Sequence, residues 1–300
     1  MESFPFEQEF VDYLEVELGF MPGSIETYSL HLGQFSFFLQ LNYFPEGIEV
    51  KKIDPEHVRS YLYFLKQEKM CKSTTRNNKL AALSTYFDFL KVSGHLGRKK
   101  SPVKNLRKAK EPFNLPVHMT KSEAELFLKA TWFDTEFPYR DYAIMKLFLQ
   151  TGIRLAELVG LGKSDLDLNS GSIFVRGKGA KERILPLTES TAEALRIQLE
   201  KRPPFIDDGG YMFLNSKKYP MEKRGVQLLF HRVRKKAGIE KPGLTVHSLR
   251  HTCFTLLLKE GVDIVTLQEL AGHKDIDSTS IYTHVVNEDM RKAMERHPLG

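Results

Sequence analysis

Six polar side chains in the second half of the chain have types and an order that suit one piece of chemistry. They are Arg154, Lys178, His247, Arg250, His273 and Tyr282. Three cations, two imidazoles and a phenol are a poor metal-ligand set. They suit the task of holding a phosphodiester while a tyrosine attacks it. A phenol with a pKa of about 10 is a weak nucleophile until its proton is taken and its oxyanion is stabilised. Nearby arginines and histidines would do both. Two guanidiniums opposite each other would clamp the non-bridging oxygens, and stabilising charge on a pentacoordinate transition state is the largest single contribution such a site makes.

The local contexts sharpen this. Arg154 opens a helix after Thr151-Gly152, and Glu157 lies one turn on, on the same face. An arginine buried beside a carboxylate has its fork held rigid for two phosphate oxygens, although alone the two would read as a structural ion pair. His247 and Arg250 share a helical face at the spacing His-Ser-Leu-Arg. His247-x-x-x-His251 has the spacing of a zinc pair, but Ser248 stands where a zinc protease helix has glutamate and there is no third ligand cluster. No metal is expected, and His251 reads as a packed or capping histidine. Lys178 lies in the turn Gly177-Lys178-Gly179-Ala180. The run from Gly171 to Lys178 departs from a phosphate loop, with five residues between the glycines and Gly179 where Ser or Thr is required. Nucleotide binding is rejected and no cofactor is expected.

The elements that must position these groups are mostly helices. Phe10, Leu14 and Leu18 give the stripe of a first helix, and Tyr28, Leu32, Phe35 and Leu39 that of a second. Asp54-Pro55 opens a third, with Val58, Leu62 and Leu65 inside. Ser73 is expected to cap a fourth, with Leu80, Leu83, Phe87 and Leu90 as its core positions. Residues 1–95 are therefore predicted to form a four-helix bundle. Residues 96–116, rich in Lys and Arg with several prolines, read as a basic interdomain strap along the DNA backbone. Thr120-x-x-Glu123 is a capping box that opens a second domain, 117–300. Helices are predicted over 121–130, 138–151, 154–160, 190–201, 222–237, 247–260, 263–271, 276–285 and 288–296. A two-residue period over 172–187, with Ile173, Val175, Ile184 and the pair Leu185/Leu187, predicts a β-hairpin, and 211–214 a short strand. The fold class is mainly α with a small β-sheet.

Charge adds a surface. The net charge is +6, but residues 1–50 hold nine acids and no Lys or Arg, whereas residues 51–110 hold 16 Lys/Arg and four acids. The basic part is a candidate phosphate-binding surface, and the acidic part should face away from it. The fourth helix begins Lys72-Ser73-Thr74-Thr75-Arg76-Asn77-Asn78-Lys79. Arg and Asn form bidentate contacts to guanine and adenine, so Lys72, Arg76, Asn77 and Lys79 are expected at the major groove. Lys181 and Arg183, beside the hairpin turn, are expected at the DNA backbone. No apolar run approaches the roughly 20 residues of a membrane span, and the first 18 residues carry acids but no Lys or Arg, unlike a signal peptide. Two cysteines, Cys71 and Cys253, far apart, fit a reducing cytoplasm rather than a disulfide framework.

The ordered set T-G-I-R-L-A-E-L, R-G-K-G-A-K-E-R, H-S-L-R-H-T, L-A-G-H and I-Y-T-H resembles the tyrosine recombinase, or integrase, family over roughly residues 120–297. That resemblance implies a SAM-like core-binding bundle followed by a catalytic domain of the DNA breaking-rejoining type. It implies that Tyr282 forms a 3′-phosphotyrosyl bond, that Lys178 protonates the leaving 5′ oxygen, and that His273, nine residues before Tyr282, hydrogen-bonds the scissile phosphate. It also implies a tetramer on two inverted-repeat sites that exchanges strands through a Holliday junction. The tail 287–300, with Met290, Ala293 and Met294 at helical spacing, is expected to dock on a neighbouring subunit. The bundle begins almost at residue 4, without an arm-binding domain, so the chain is similar to the short Xer type that resolves chromosome or plasmid dimers. A paralogous recombinase and a DNA translocase are partners of that type. A mobile-element integrase is the second reading. A type IB topoisomerase shares the chemistry but fits the spacing less well. A non-catalytic DNA-binding protein of the same fold is the third reading.

Overall fold

The computed structural model describes residues 4–112, 115–133, 135–176, 182–202 and 209–272. The chain divides into two compact units, residues 1–113 and 114–300.

In the first unit, helix α1 (Glu7–Asp12) runs into one π-helical turn, Tyr13–Glu17. Helices α2 (Pro22–Asn42), α3 (Pro55–Gln67) and α4 (Ser73–Val92) follow. The apolar stripes face one another: Phe10, Leu14, Leu32, Phe35, Leu39, Val58, Leu83, Phe87 and Leu90 are fully buried. Leu18, placed on the first stripe, is instead exposed, because the π turn ends before it. The core is rich in aromatics. Tyr86 packs edge-on against Phe10 at 5.2 Å between ring centroids, and its hydroxyl donates to the carbonyl of Pro5. Pro55 opens α3 as expected, and the His57 Nδ1 accepts from the Asp54 N–H at 3.0 Å. Ser73 does not cap α4. It is the first helical residue, Lys72 holds the cap position, and the Lys72 side chain makes no capping hydrogen bond.

The basic stretch is not a free connector. Leu96 and Val103 are buried in the first unit's core and Leu106 packs against it. The side chain of Asn77 grips the stretch with both amide atoms. Its Nδ2 donates to the Ala109 carbonyl at 2.9 Å and to Glu111 Oε1 at 2.6 Å, and its Oδ1 accepts from the Ala109 N–H at 2.8 Å. Leu96, Val103 and Leu106 turn inward, while Arg98, Lys100, Lys104, Arg107, Lys108 and Lys110 stay on the outside.

In the second unit, α5 (Lys121–Ala130) starts at the capping box, with the Glu123 N–H donating to Thr120 Oγ1 and the Thr120 N–H to Glu123 Oε2. Helix α6 (Pro138–Thr151) is central; Ala143, Ile144, Met145, Leu147 and Phe148 are all buried. Helix α7 (Leu155–Val159) leads to an antiparallel sheet of β1 (Leu166–Asp167), β2 (Ser172–Arg176) and β3 (Glu182–Pro186) in that spatial order. Helices α8 (Glu189–Lys201), α9 (Lys223–Lys236), α10 (Val246–Lys259) and α11 (Ile264–Ala271) complete the described part. Residues 211–214 form only isolated bridges, Gly162 with Tyr211 and Leu214 with Pro220. The helices expected over 276–285 and 288–296 lie outside the described residues.

Register decides which residues of the hairpin look inward. Ile173 pairs with Leu185 and Val175 with Arg183. Side chains directly opposite share a face, so Arg183 lies on the same inner face as Ile173, Val175 and Leu185. Ile184, named with them in the two-residue period, is on the outer face and exposed. A one-residue phase difference exchanges the two faces.

Candidate phosphodiester-binding site

The site is built where α6 ends, α7 begins and α11 ends. Helix α6 stops at Gly152, which takes a left-handed conformation, φ +62°. Two residues later Arg154 stands at the N-cap of α7, and Glu157 reaches back to it, with Oε2 accepting the Arg154 N–H at 2.8 Å. The same carboxylate binds the Arg154 guanidinium, Nη1 to Oε1 at 2.9 Å. Sequence spacing foresaw this pair.

Arg250 enters from α10. Its Nη1 donates to the carbonyl of Gly152 and its Nη2 to that of Ala271 at 2.7 Å. Its guanidinium carbon lies 4.7 Å from the centroid of the Phe254 ring, one turn further along the helix. Arg250 is almost entirely buried, whereas the side chain of Arg154 is 37% exposed. His247, at the start of α10, is exposed. His251 is partly buried, and burial first, then the neighbouring Arg250, lowers its pKa and favours the neutral imidazole. The Cys253 thiol is buried, and burial pushes it up to about 12.

Three arginines converge on the C-terminal end of α11. Arg183 Nε donates to the Leu270 carbonyl at 3.2 Å, Arg250 Nη2 to Ala271, and Arg154 Nη2 to Gly272 at 3.2 Å. The last carbonyls of a helix have no partners within it and carry the negative end of its dipole, so they bind cations well. Gly272 caps the helix with φ +61°, and a β-carbon there would lie 3.3 Å from the Arg183 side chain.

Arg183, expected at the DNA backbone, is instead turned inward. Its side chain is only 11% exposed and forks onto Glu157, Nη1 to Oε1 at 2.8 Å and Nη2 to Oε2 at 2.9 Å. Arg183, Leu185 and Leu187 share the two-residue period of one face, but the adjacent Ile184 left the phase open until the pairing with Val175 fixed it. Burial by itself would raise the pKa of Glu157. Hydrogen bonds from Arg183 and the Arg154 N–H, with the charge of Arg183, overcome that and bring it to about 2.

The expected base-reading set is also corrected in part. Asn77 and Lys79 are buried, Asn77 on Ala109 and Glu111 and Lys79 against Gln34. Burial lowers the pKa of Lys79, as expected for an ammonium out of water. Arg76 Nη1 donates to the Cys71 carbonyl at 2.6 Å, closing the turn before α4. Lys72 is exposed. Lys178, Lys181, His273 and Tyr282 lie outside the described residues.

Comparison with known proteins agrees with this architecture. The family model described as the phage integrase family matches residues 118–289, and that of the phage integrase N-terminal SAM-like domain matches residues 8–94. The chain is 31% identical to tyrosine recombinase XerC of Oceanobacillus iheyensis over 300 residues, covering 96% of this chain and 94% of that one. It is 31% identical to tyrosine recombinase XerD of Listeria monocytogenes over 299 residues, covering 97% and 98%. Among solved structures it is similar to XerA recombinase, with 30% identity, a TM-score of 0.55 and 99% of both chains covered. It is also similar to XerH site-specific recombinase bound to palindromic difH substrate, with 25% identity, a TM-score of 0.73, and 90% of this chain and 79% of that one covered. With a matching family model over most of its second unit and such identity over nearly its whole length, the chain belongs to the phage integrase family of tyrosine recombinases.

Proposed function

We propose that this chain cleaves and rejoins DNA at specific sites, with Tyr282 as nucleophile and Arg154, Lys178, His247, Arg250 and His273 around the scissile phosphate. The observation that carries the reading is the meeting of Arg154 and Arg250 on consecutive carbonyls at the end of α11, directly before residue 273. Two guanidiniums fixed at one place suit the two non-bridging oxygens of a phosphodiester.

In this reaction the Tyr282 oxygen attacks phosphorus, its phenolic proton passes to a neighbouring histidine, and the bond to the 5′ oxygen breaks. Lys178 gives that oxygen its proton, leaving a 5′-hydroxyl and a 3′-phosphotyrosine. Attack by the 5′-hydroxyl of a second duplex reverses the step, releases the tyrosine and joins new partners. One phosphoester replaces another at each step, so no hydrolysis of a nucleotide is required. Two rounds of exchange in a tetramer on two inverted-repeat sites pass through a Holliday junction. The physiological role we assign is resolution of chromosome or plasmid dimers in the cytoplasm, with a paralogous recombinase and a DNA translocase as candidate partners. The names of the XerC and XerD relatives support that assignment. No helix among the described residues is long and apolar enough to cross a membrane.

The test is to trap covalent protein–DNA complexes in the source cells and sequence the attachment points, with Tyr282→Phe as control. One chromosomal peak, absent in the control, is the expected result. Peaks at the ends of mobile elements would replace dimer resolution by integration. DNA occupancy without any covalent adduct would leave only a DNA-binding protein.

A further inference from the structure

Glu157 has room for four hydrogen bonds, and all four are made. Oε1 accepts from Arg154 Nη1 and Arg183 Nη1, and Oε2 from the Arg154 N–H and Arg183 Nη2, at 2.8–2.9 Å. An ionised carboxylate offers about four lone-pair sites, so this one is saturated. Arg183 supplies half of the donors and itself lies on the inner face of β3, held at its Nε by the Leu270 carbonyl. The consequence falls on Arg154. With Glu157 satisfied by Arg183, Arg154 spends one guanidinium nitrogen on the carboxylate and the other terminal nitrogen reaches Gly272. Without Arg183, a buried carboxylate would have two empty sites, a costly state that the nearest cation relieves. That cation is Arg154.

We propose that Arg183 is a positioning residue for strand cleavage: by filling half of Glu157 it keeps the Arg154 guanidinium turned to the end of α11 and available to the scissile phosphate. The inference rests on the strand-transfer reading given above. Arg183 touches no reacting atom. Lysine cannot replace it, because an ammonium cannot fork onto both carboxylate oxygens while holding the Leu270 carbonyl.

The test uses nicked duplexes carrying the mapped site, so that cleavage releases a short strand and traps the phosphotyrosyl adduct. One duplex has an ordinary scissile phosphate. The other has a methylphosphonate there, which is neutral and so lacks the negative charge that the guanidiniums neutralise. A group acting through Arg154 matters less on the neutral substrate, whereas a general loss of structure harms both alike. The full-length Arg183→Lys and Arg183→Gln chains should bind DNA within about twofold of the parent and cleave the phosphate duplex on the order of 10²-fold more slowly. On the methylphosphonate duplex their loss should shrink to about fivefold or less, and Arg154→Ala should show the same pattern. Glu157→Gln, which keeps the side-chain shape and removes the charge that Arg183 meets, serves as the second variant and should follow them. Equal losses on both duplexes, or no loss on either, would overturn the proposal. If Tyr282→Phe forms as much adduct as the parent, the strand-transfer reading itself fails, and that failure is distinguishable because it does not involve Arg183.

Discussion

The ring of Phe254 occupies the place where a β-carbon on Gly152 would sit. Such a carbon would lie 2.7 Å from the ring's Cζ and 2.8 Å from a Cε. Gly152 therefore serves two needs at once. It takes the left-handed φ that ends α6, and it lets α10 approach closely enough for Arg250 to reach the Gly152 carbonyl. The same ring lies under the Arg250 guanidinium.

Gly152→Ala should accordingly damage both fold and site. Strain at a positive φ costs about 1–2 kcal/mol and overpacking against a ring about 1–3 kcal/mol more. Thermal melting should fall by roughly 5–10 °C. Adding Phe254→Leu should recover the packing part and leave the φ part. An unchanged melting temperature in the single variant would show that α10 sits further from α6 than these distances imply.

Glu157 makes stability depend on acid. Its folded pKa, about 2, lies below its ordinary value of 4.5. The contribution is complete above pH 4.5 and is lost as pH falls from 4.5 towards 2. Glu157→Gln should be less stable than the parent by about 2–3 kcal/mol at neutral pH. The gap should narrow through the acid window. Denaturant melts at several pH values measure it, and a constant gap down to pH of about 2 would contradict the ionised, twice-paired carboxylate.

Asn77 ties the basic stretch to α4 through three hydrogen bonds to Ala109 and Glu111. Asn77→Ala should free residues 104–111 without unfolding the bundle, since the core aromatics remain. Limited trypsin digestion should then cut at Lys104, Arg107, Lys108 or Lys110 about tenfold faster, consistent with a loss of about 1.4 kcal/mol in local stability. Resistance equal to the parent's would mean that Leu96 and Val103 alone hold the stretch.

The outward-facing cations of that stretch should bind phosphates. Changing Lys104, Arg107 and Lys108 together to glutamine should weaken DNA binding at low salt. The slope of log affinity against log salt should become shallower by about 0.9 for each phosphate no longer neutralised, or roughly 2–3 in all. An unchanged slope in a filter-binding titration would remove the stretch from the DNA interface.

Helix content was readable because amphipathic periodicity and end signals are local. The Thr120 capping box and the Pro138 start place α5 and α6 with the expected limits. Arg154 with Glu157 was readable for the same reason, since one turn of helix brings them together. The inward turn of Arg183 was harder. The apolar run Ile184-Leu185 hid the strand's phase, and only pairing with Val175 selects the face. Asn77 and Lys79 look like DNA-reading residues on a helix start, but their burial depends on Ala109, Glu111 and Gln34, up to 45 residues away.

From its sequence alone this chain is recognisable as a mainly helical member of the tyrosine recombinase family, because residue type, order and local spacing carry that much. Tertiary structure alone decides how each of the site's cations is held. Three arginines, at 154, 183 and 250, have the same chemistry, yet Arg183 is locked on a carboxylate, Arg250 is buried over a ring, and Arg154 keeps a third of its surface. Those differences come from where the carbonyls of residues 152 and 270–272 and the carboxylate of Glu157 end up, and such distances are set by packing between elements far apart in the chain.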